Sequence, residues 1–328
     1  MESKNQSLLG RLESFLGPRY AWFVVAVALL LTLSLALAAY AHGANGQRVR
    51  AALWLLGLNP VMIVYIFLVH PFMHRRWQGA MQSLHTLAPR AAEAGQQRSV
   101  NPRDEWVAMA LGSLVGLAVA RDIPAAEGWL RLYSEATSAL LFALLAAAIY
   151  GSLKRARHLA AHSRAGLDLN VFDGHLLTPF AQWGQSLTLV FVGGISLSLL
   201  FQSYESLRSR EGVIVYGSLV IVALTLFFMS VWAIHVALAR AQEKELVRVR
   251  RDLAAARQAM RSDVPGSAPR MVAARYLPVV VCGIYEKQVL DAPTWPFNPK
   301  ILGRVFASAV APLSVYVLKL AFGVANGL

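Results

Sequence analysis

The chain has 328 residues, 56% of them hydrophobic and 15% charged, and a formal charge of +13. Soluble domains carry about a quarter charged residues, whereas the apolar residues here fall in blocks near the roughly 20-residue length that a helix needs to cross a hydrocarbon core, which excludes an ordinary soluble domain. The positive charge is not read as nucleic-acid binding: Lys and Arg gather in connectors, as in cytoplasmic loops facing anionic lipid, and no aromatic-basic recognition module accompanies them.

In chain order, a mostly polar arm (1–19) precedes a Leu/Ala/Val run at 20–41. That run is too long for a signal-peptide core and lacks a cleavage pattern, so it reads as a retained span. A second span follows at 51–72, interrupted by Asn59-Pro60, where Pro removes a donor and is expected to free a carbonyl. The third, 106–123, is short; the fourth is 134–153, the fifth 185–201, the sixth 213–239 and the seventh 301–322. No residue-level repeat relates the successive pairs. The domain plan is therefore an arm (1–19), a six-span region (20–239), a helical and interfacial segment (240–300) and a last helix (301–328).

Lys and Arg alternate between connectors. The arm has Lys4, Arg11 and Arg19, the second connector Arg75, Arg76, Arg90, Arg98 and Arg103, and the fourth Lys154, Arg155, Arg157 and Arg164. The sixth connector is densely basic from Arg240 to Arg275, and the first, third and fifth hold two each. By the positive-inside rule this places the N-terminus in the cytoplasm and the C-terminus outside, in a cell inner (plasma) membrane.

Two inner connectors read as continuations of spans. Span four runs on through "GSLKRARHLAAHSRAG" to Gly166. Beyond Ala239 neither Gly nor Pro occurs until Pro265, so span six and "RAQEKELVRVRRDLAAARQAMR" predict one helix of about 50 residues, or about 75 Å. Within it Leu246, Val249, Leu253, Ala256 and Met260 follow heptad spacing. Two heptads suit either a helix packed on its own neighbours or an oligomer seam. The stretch "YLPVVVCGIYEKQVL" is too short to span and is expected on the inner surface. Its Cys282 is the lone cysteine, so no intrachain disulfide or zinc spacing exists.

Histidines occur in pairs four apart, His70 with His74 and His158 with His162, with His175 and His235 also on the inner side. Such spacing sets two imidazoles on one helix face. The chain lacks the adjacent double histidines and intramembrane carboxylates of membrane di-iron enzymes, and Pro71 is expected to distort the first pair, so no metal and no cofactor is assigned. Asp168, Asn170 and Asp173 miss EF-hand spacing and read as an Asx-rich turn. The spans are nearly free of Asp, Glu and Lys, which argues against ion-coupled transport. No P-loop, kinase set or nucleophile elbow appears.

Small residues mark two helices. Span five holds Gly193, Gly194, Ser196 and Ser198, a set suited to close helix approach. In the last span Ala307, Ala311, Ser314 and Leu318 share a face, suited either to tight packing or to a pore wall. Pro293, Trp295, Pro296, Phe297 and Pro299 form a stiff approach to that helix. The segments "LDLNVFDGHLLTPFAQ" and "TWPFNPKILGRVFASAVAPL" resemble multi-span bacterial membrane proteins with a Trp-Pro-aromatic turn before the last helix, a resemblance that implies no activity. In topology alone, the chain is similar to insect chemoreceptor channels.

The expectation is therefore an all-α polytopic bundle of about seven spans with long cytoplasmic helical extensions, in the lipid bilayer and forming homo-oligomers. The expected function is an oligomeric ion channel with the last helix near the pore. Two alternatives stand beside it, a membrane redox or metal enzyme using the inner histidines and a non-transporting scaffold.

Overall fold

The computed structural model describes residues 8–41, 56–87, 102–121, 128–164, 178–202, 210–261 and 269–292, together with 303, 307, 310, 312, 314–318 and 321. Among them all regular structure is helical. α1 (Leu8–Leu16) and a 3-10 turn (Gly17–Arg19) lead into α2 (Tyr20–Ala41), followed by α3 (Leu58–Leu87), α4 (Pro102–Arg121) and α5 (Gly128–Arg164). Then come α6 (Thr178–Phe201), α7 (Arg210–Arg261) and α8 (Pro269–Asp291). Residues 165–177, with the Asx-rich turn, and 293–300, with the Trp-Pro-Phe approach, lie outside the described residues.

Three stretches have the length and apolar composition to cross a membrane: Leu9–Tyr40, Gly128–Arg157 and Thr178–Phe201. Within α7, Tyr216–Met229 is a shorter apolar stretch. Apolar side chains also cover much of the outside. Leu29, Leu30, Leu33 and Leu37 on α2, Leu111, Leu114 and Val115 on α4, and Ile214, Ile221 and Phe228 on α7 are all exposed. An apolar exterior of this extent suits contact with lipid and would be a liability in water.

Small residues and hydroxyl groups knit the helices where apolar burial alone gives little drive in lipid. α4 and α5 lie backbone to backbone, because a Cβ at Gly112 would strike the Phe142 carbonyl oxygen and one at Gly116 that of Ser138. Gly193 on α6 admits the Tyr65 hydroxyl, which would sit 2.6 Å from a Cβ there. That hydroxyl donates to the Val190 carbonyl at 2.8 Å. Likewise Tyr20 donates to the Phe67 carbonyl at 2.9 Å and Tyr133 to that of Leu31 at 3.2 Å. Each of these phenols thus ties one helix to the backbone of another.

The N-terminal arm takes part in the bundle. Leu9, Leu12 and Leu16, spaced for one face of α1, pack with Ile63, Phe67 and Leu141. A turn at Gly57 separates Leu56 from α3, and Pro60 stands in the first turn of that helix, where a missing N–H costs nothing. Pro71 lies inside α3, which continues through it to Leu87.

α5 continues to Arg164, and α7 is a single helix of 52 residues. α8 runs antiparallel along the end of α7. Gln242 Nε2 donates to the Val289 and Leu290 carbonyls at 2.7 and 3.2 Å, Tyr285 Oη to Glu245 at 3.1 Å, and Arg250 Nε to Glu286 at 2.8 Å. Val249 and Leu253 of the heptad stripe are buried within the single chain, Leu246 and Ala256 are half-buried, and the Met260 side chain is outside the described residues.

In the last helix, Val315 and Tyr316 pack with Ile195, Leu199 and Tyr216. Ala307, Ser314 and Leu318 are exposed, and Ala311 is not among the described residues.

Candidate functional site

Inside the bundle lies an elongated cavity of about 630 Å³, walled by α3, α5, α6 and α7, with Leu9 of α1, Glu105 and Val119 of α4, and Leu56 and Gln202 beside the helix ends also in its lining. Its residues on α3 run from Leu58 to Met73 and on α5 from Ser138 to Arg155. At 1.5 Å per residue these are about 22 and 25 Å of helix. Much of the wall is apolar, with Met62, Ile66, Leu145, Val190 and Phe191 along its length. Ala148 and Gly151 keep the α5 wall low.

Polar groups gather at the two ends. At one end Asn59 Nδ2 donates to Thr137 Oγ1 at 3.1 Å and to Ser138 Oγ at 2.9 Å, and all three residues are buried. Gln202, Ser198 and Tyr216 line the same end. This network satisfies its own donors, as buried polar groups must.

The other end is different. His70, Ser152, Arg155 and Glu105 line it. The His70 side chain is 10% exposed, and its Nδ1 stands 3.3 Å from Glu13 Oε2 of α1. The pair is not aligned for a hydrogen bond, so both ring nitrogens of His70 and that carboxylate oxygen are buried without a partner. Orphaned polar atoms at such depth are uncommon and costly. Glu105 is buried, while Arg155 is half-buried with its guanidinium in the electrostatic range of Glu105, His70 and His74. The His74 ring stacks on that of His70, centroids 6.2 Å apart, and its Nε2 lies 3.1 Å from Gln78 Nε2. Burial, with the Arg155 charge beside it, holds His74 below the usual imidazole range.

The residues expected from sequence to form a site lie elsewhere. Ala307, Ser314 and Leu318 are exposed, and Leu246, Val249, Leu253 and Ala256 are buried or half-buried on the part of α7 that α8 runs beside; none of these lines the cavity. Among the described histidine side chains, His70 is the one that does. His158 and His162 are on α5 with side chains outside the described residues. Among the described residues no three His, Cys, Asp or Glu side chains are grouped to hold a metal ion. In the sequence Arg155 was legible only as one basic residue of a connector, beside Lys154, Arg157 and Arg164. The continuation of α5 past the span makes it part of a wall instead. The Gly112–Gly116 contact had a direct signal, a Gly-x-x-x-Gly in "GSLVG", which is a spacing known for close helix pairs.

Comparison with known proteins yields no match to a family model, a curated protein or a solved structure.

Proposed function

We propose that this chain is an integral membrane protein that holds an elongated, largely apolar molecule inside its helical bundle. The observation that carries this reading is the cavity itself. Its 630 Å³ falls within the range of small-molecule sites, about 300–1,000 Å³, and it combines an apolar body with a few polar groups at its ends. Such a shape admits a hydrocarbon chain and sets the position of whatever polar group terminates it. In this reading the seven expected spans thread the inner membrane with the N-terminus in the cytoplasm, so the ligand enters from lipid.

The test is binding by the full chain in lipid nanodiscs, with a tritiated long-chain alcohol as probe and empty nanodiscs as blank. Saturable binding of one molecule per chain is expected. Ala148→Phe, which builds a ring into the wall, should weaken it at least tenfold without lowering the thermal midpoint. Binding that matches the blank overturns the proposal.

A second reading, an oligomeric ion channel with the last helix at its axis, is favoured by one observation. Val315 and Tyr316 anchor that helix on α6 and α7, leaving the small-residue face at Ala307 and Ser314 uncovered by its own chain. A face of Ala and Ser suits another helix or a wetted path better than it suits lipid.

A further inference from the structure

We infer that the His70 end of the cavity receives an anionic headgroup carrying a single charge, a carboxylate, so that the bound molecule is a long-chain monoacid. This rests on the cavity reading above and specifies its ligand. Three observations converge. Arg155 lines this end and makes no hydrogen bond or close ion pair to another described residue. His70 lines the same end nine-tenths buried, with Nδ1 beside Glu13 and neither ring nitrogen hydrogen-bonded. Ser152 adds a hydroxyl at the same end.

Glu105 acts on Arg155 through longer-range charge and makes no hydrogen bond to it, so the guanidinium donors lack a hydrogen-bond partner among the described residues beside an apolar space, and their planar fork matches a carboxylate through two parallel N–H···O bonds. The opposing charge at this end, Glu105, decides the class of anion. It also lines the cavity and lies in the electrostatic range of Arg155, and Glu13 reaches His70 from α1. With those carboxylates nearby, a second negative charge on the headgroup would meet repulsion that Arg155 alone does not offset, which disfavours a phosphate dianion. The other end of the cavity has no such need, because Asn59 donates to Thr137 and Ser138 and Thr137 in turn to the Tyr133 carbonyl. The molecule is thereby oriented, with its head at Arg155 and its tail toward Asn59.

The experiment compares hexadecanoate, hexadecanol and hexadecylamine as competitors of the tritiated alcohol on the full chain in nanodiscs. The acid should bind at least tenfold more tightly than the alcohol, and the amine no better than the alcohol. In Arg155→Gln the ratio of acid to alcohol affinity should fall to about one, whatever happens to the affinity for the alcohol itself, and Arg155→Lys should keep most of the preference. Equal binding of acid and alcohol to the native chain, or a preference for the amine, overturns the headgroup assignment and leaves the cavity reading standing. Preference retained in Arg155→Gln does the same. Failure of all three to compete, with no binding of the probe, overturns both. The native-chain series decides the matter even where a variant does not fold.

Discussion

Gly116 shows how much a single missing methyl group decides in this bundle. In "GSLVG" the residue reads as a weak point of a short span, since Gly costs about 1 kcal/mol against Ala inside a helix. In the structure it is the place where α4 touches the α5 backbone at Ser138. The same stretch of α5 carries the Thr137 and Ser138 hydroxyls that hold Asn59. A side chain at 116 would force the two helices apart, and overpacking of this kind costs typically about 1–3 kcal/mol. Gly116→Leu should therefore lower the thermal unfolding midpoint in detergent. Gly217→Leu, at a position with open space around it, should not. Equal midpoints for the two would show that α4 does not press on α5.

At the scale of the element, the long helices were legible because continuity is a local property. Nothing between Ala239 and Arg261 breaks a helix, and α7 runs through it. What covers a stripe is not local. The heptad at Leu246, Val249 and Leu253 is written the same way whether its partner is another copy or another segment of the chain. Here α8 runs beside the same stretch of α7, secured by the Gln242 amide on its last carbonyls and by Arg250 on Glu286. The last helix poses the converse case, with its small-residue face uncovered. Under the channel reading, Ser314→Trp should lower ion leak from proteoliposomes or reduce the oligomeric mass. Leu33→Trp, on the exposed face of α2, should leave both unchanged. If Ser314→Trp behaves as the native chain does in both measurements, the last helix is an anchor and the channel reading loses its support.

For the whole molecule, the membrane reading rests on composition and on the apolar exterior together. Leu9–Tyr40, Gly128–Arg157 and Thr178–Phe201 have the length to span. The orientation and the count of seven rest on the alternation of Lys and Arg, so they are tested by where segments end up. A reporter fused after Leu328 should read outside the cytoplasm, and one inserted after Arg261 should read inside it. The same side for both would remove one span from the count.

The sequence by itself determined the helical secondary structure and which stretches are apolar enough to cross a membrane. Apolar block length and the absence of helix breakers are properties of neighbouring residues, and they suffice to specify long apolar helices. It also named some residues whose importance survives with a changed role: the Gly193–Gly194 pair admits Tyr65, and the His70–His74 pair does stack on one face. Only the tertiary structure decided that α1 joins the bundle, that α8 runs beside the end of α7, and that Arg155, Glu105 and His70 meet at one end of a cavity. Those three residues come from three different helices and share no sequence spacing. Their meeting depends on how far α3, α4 and α5 slide along one another, and that is set by contacts such as Gly116 on Ser138 and Tyr65 on Gly193; the sequence marks the glycines as places of close approach but does not name the partner each one meets.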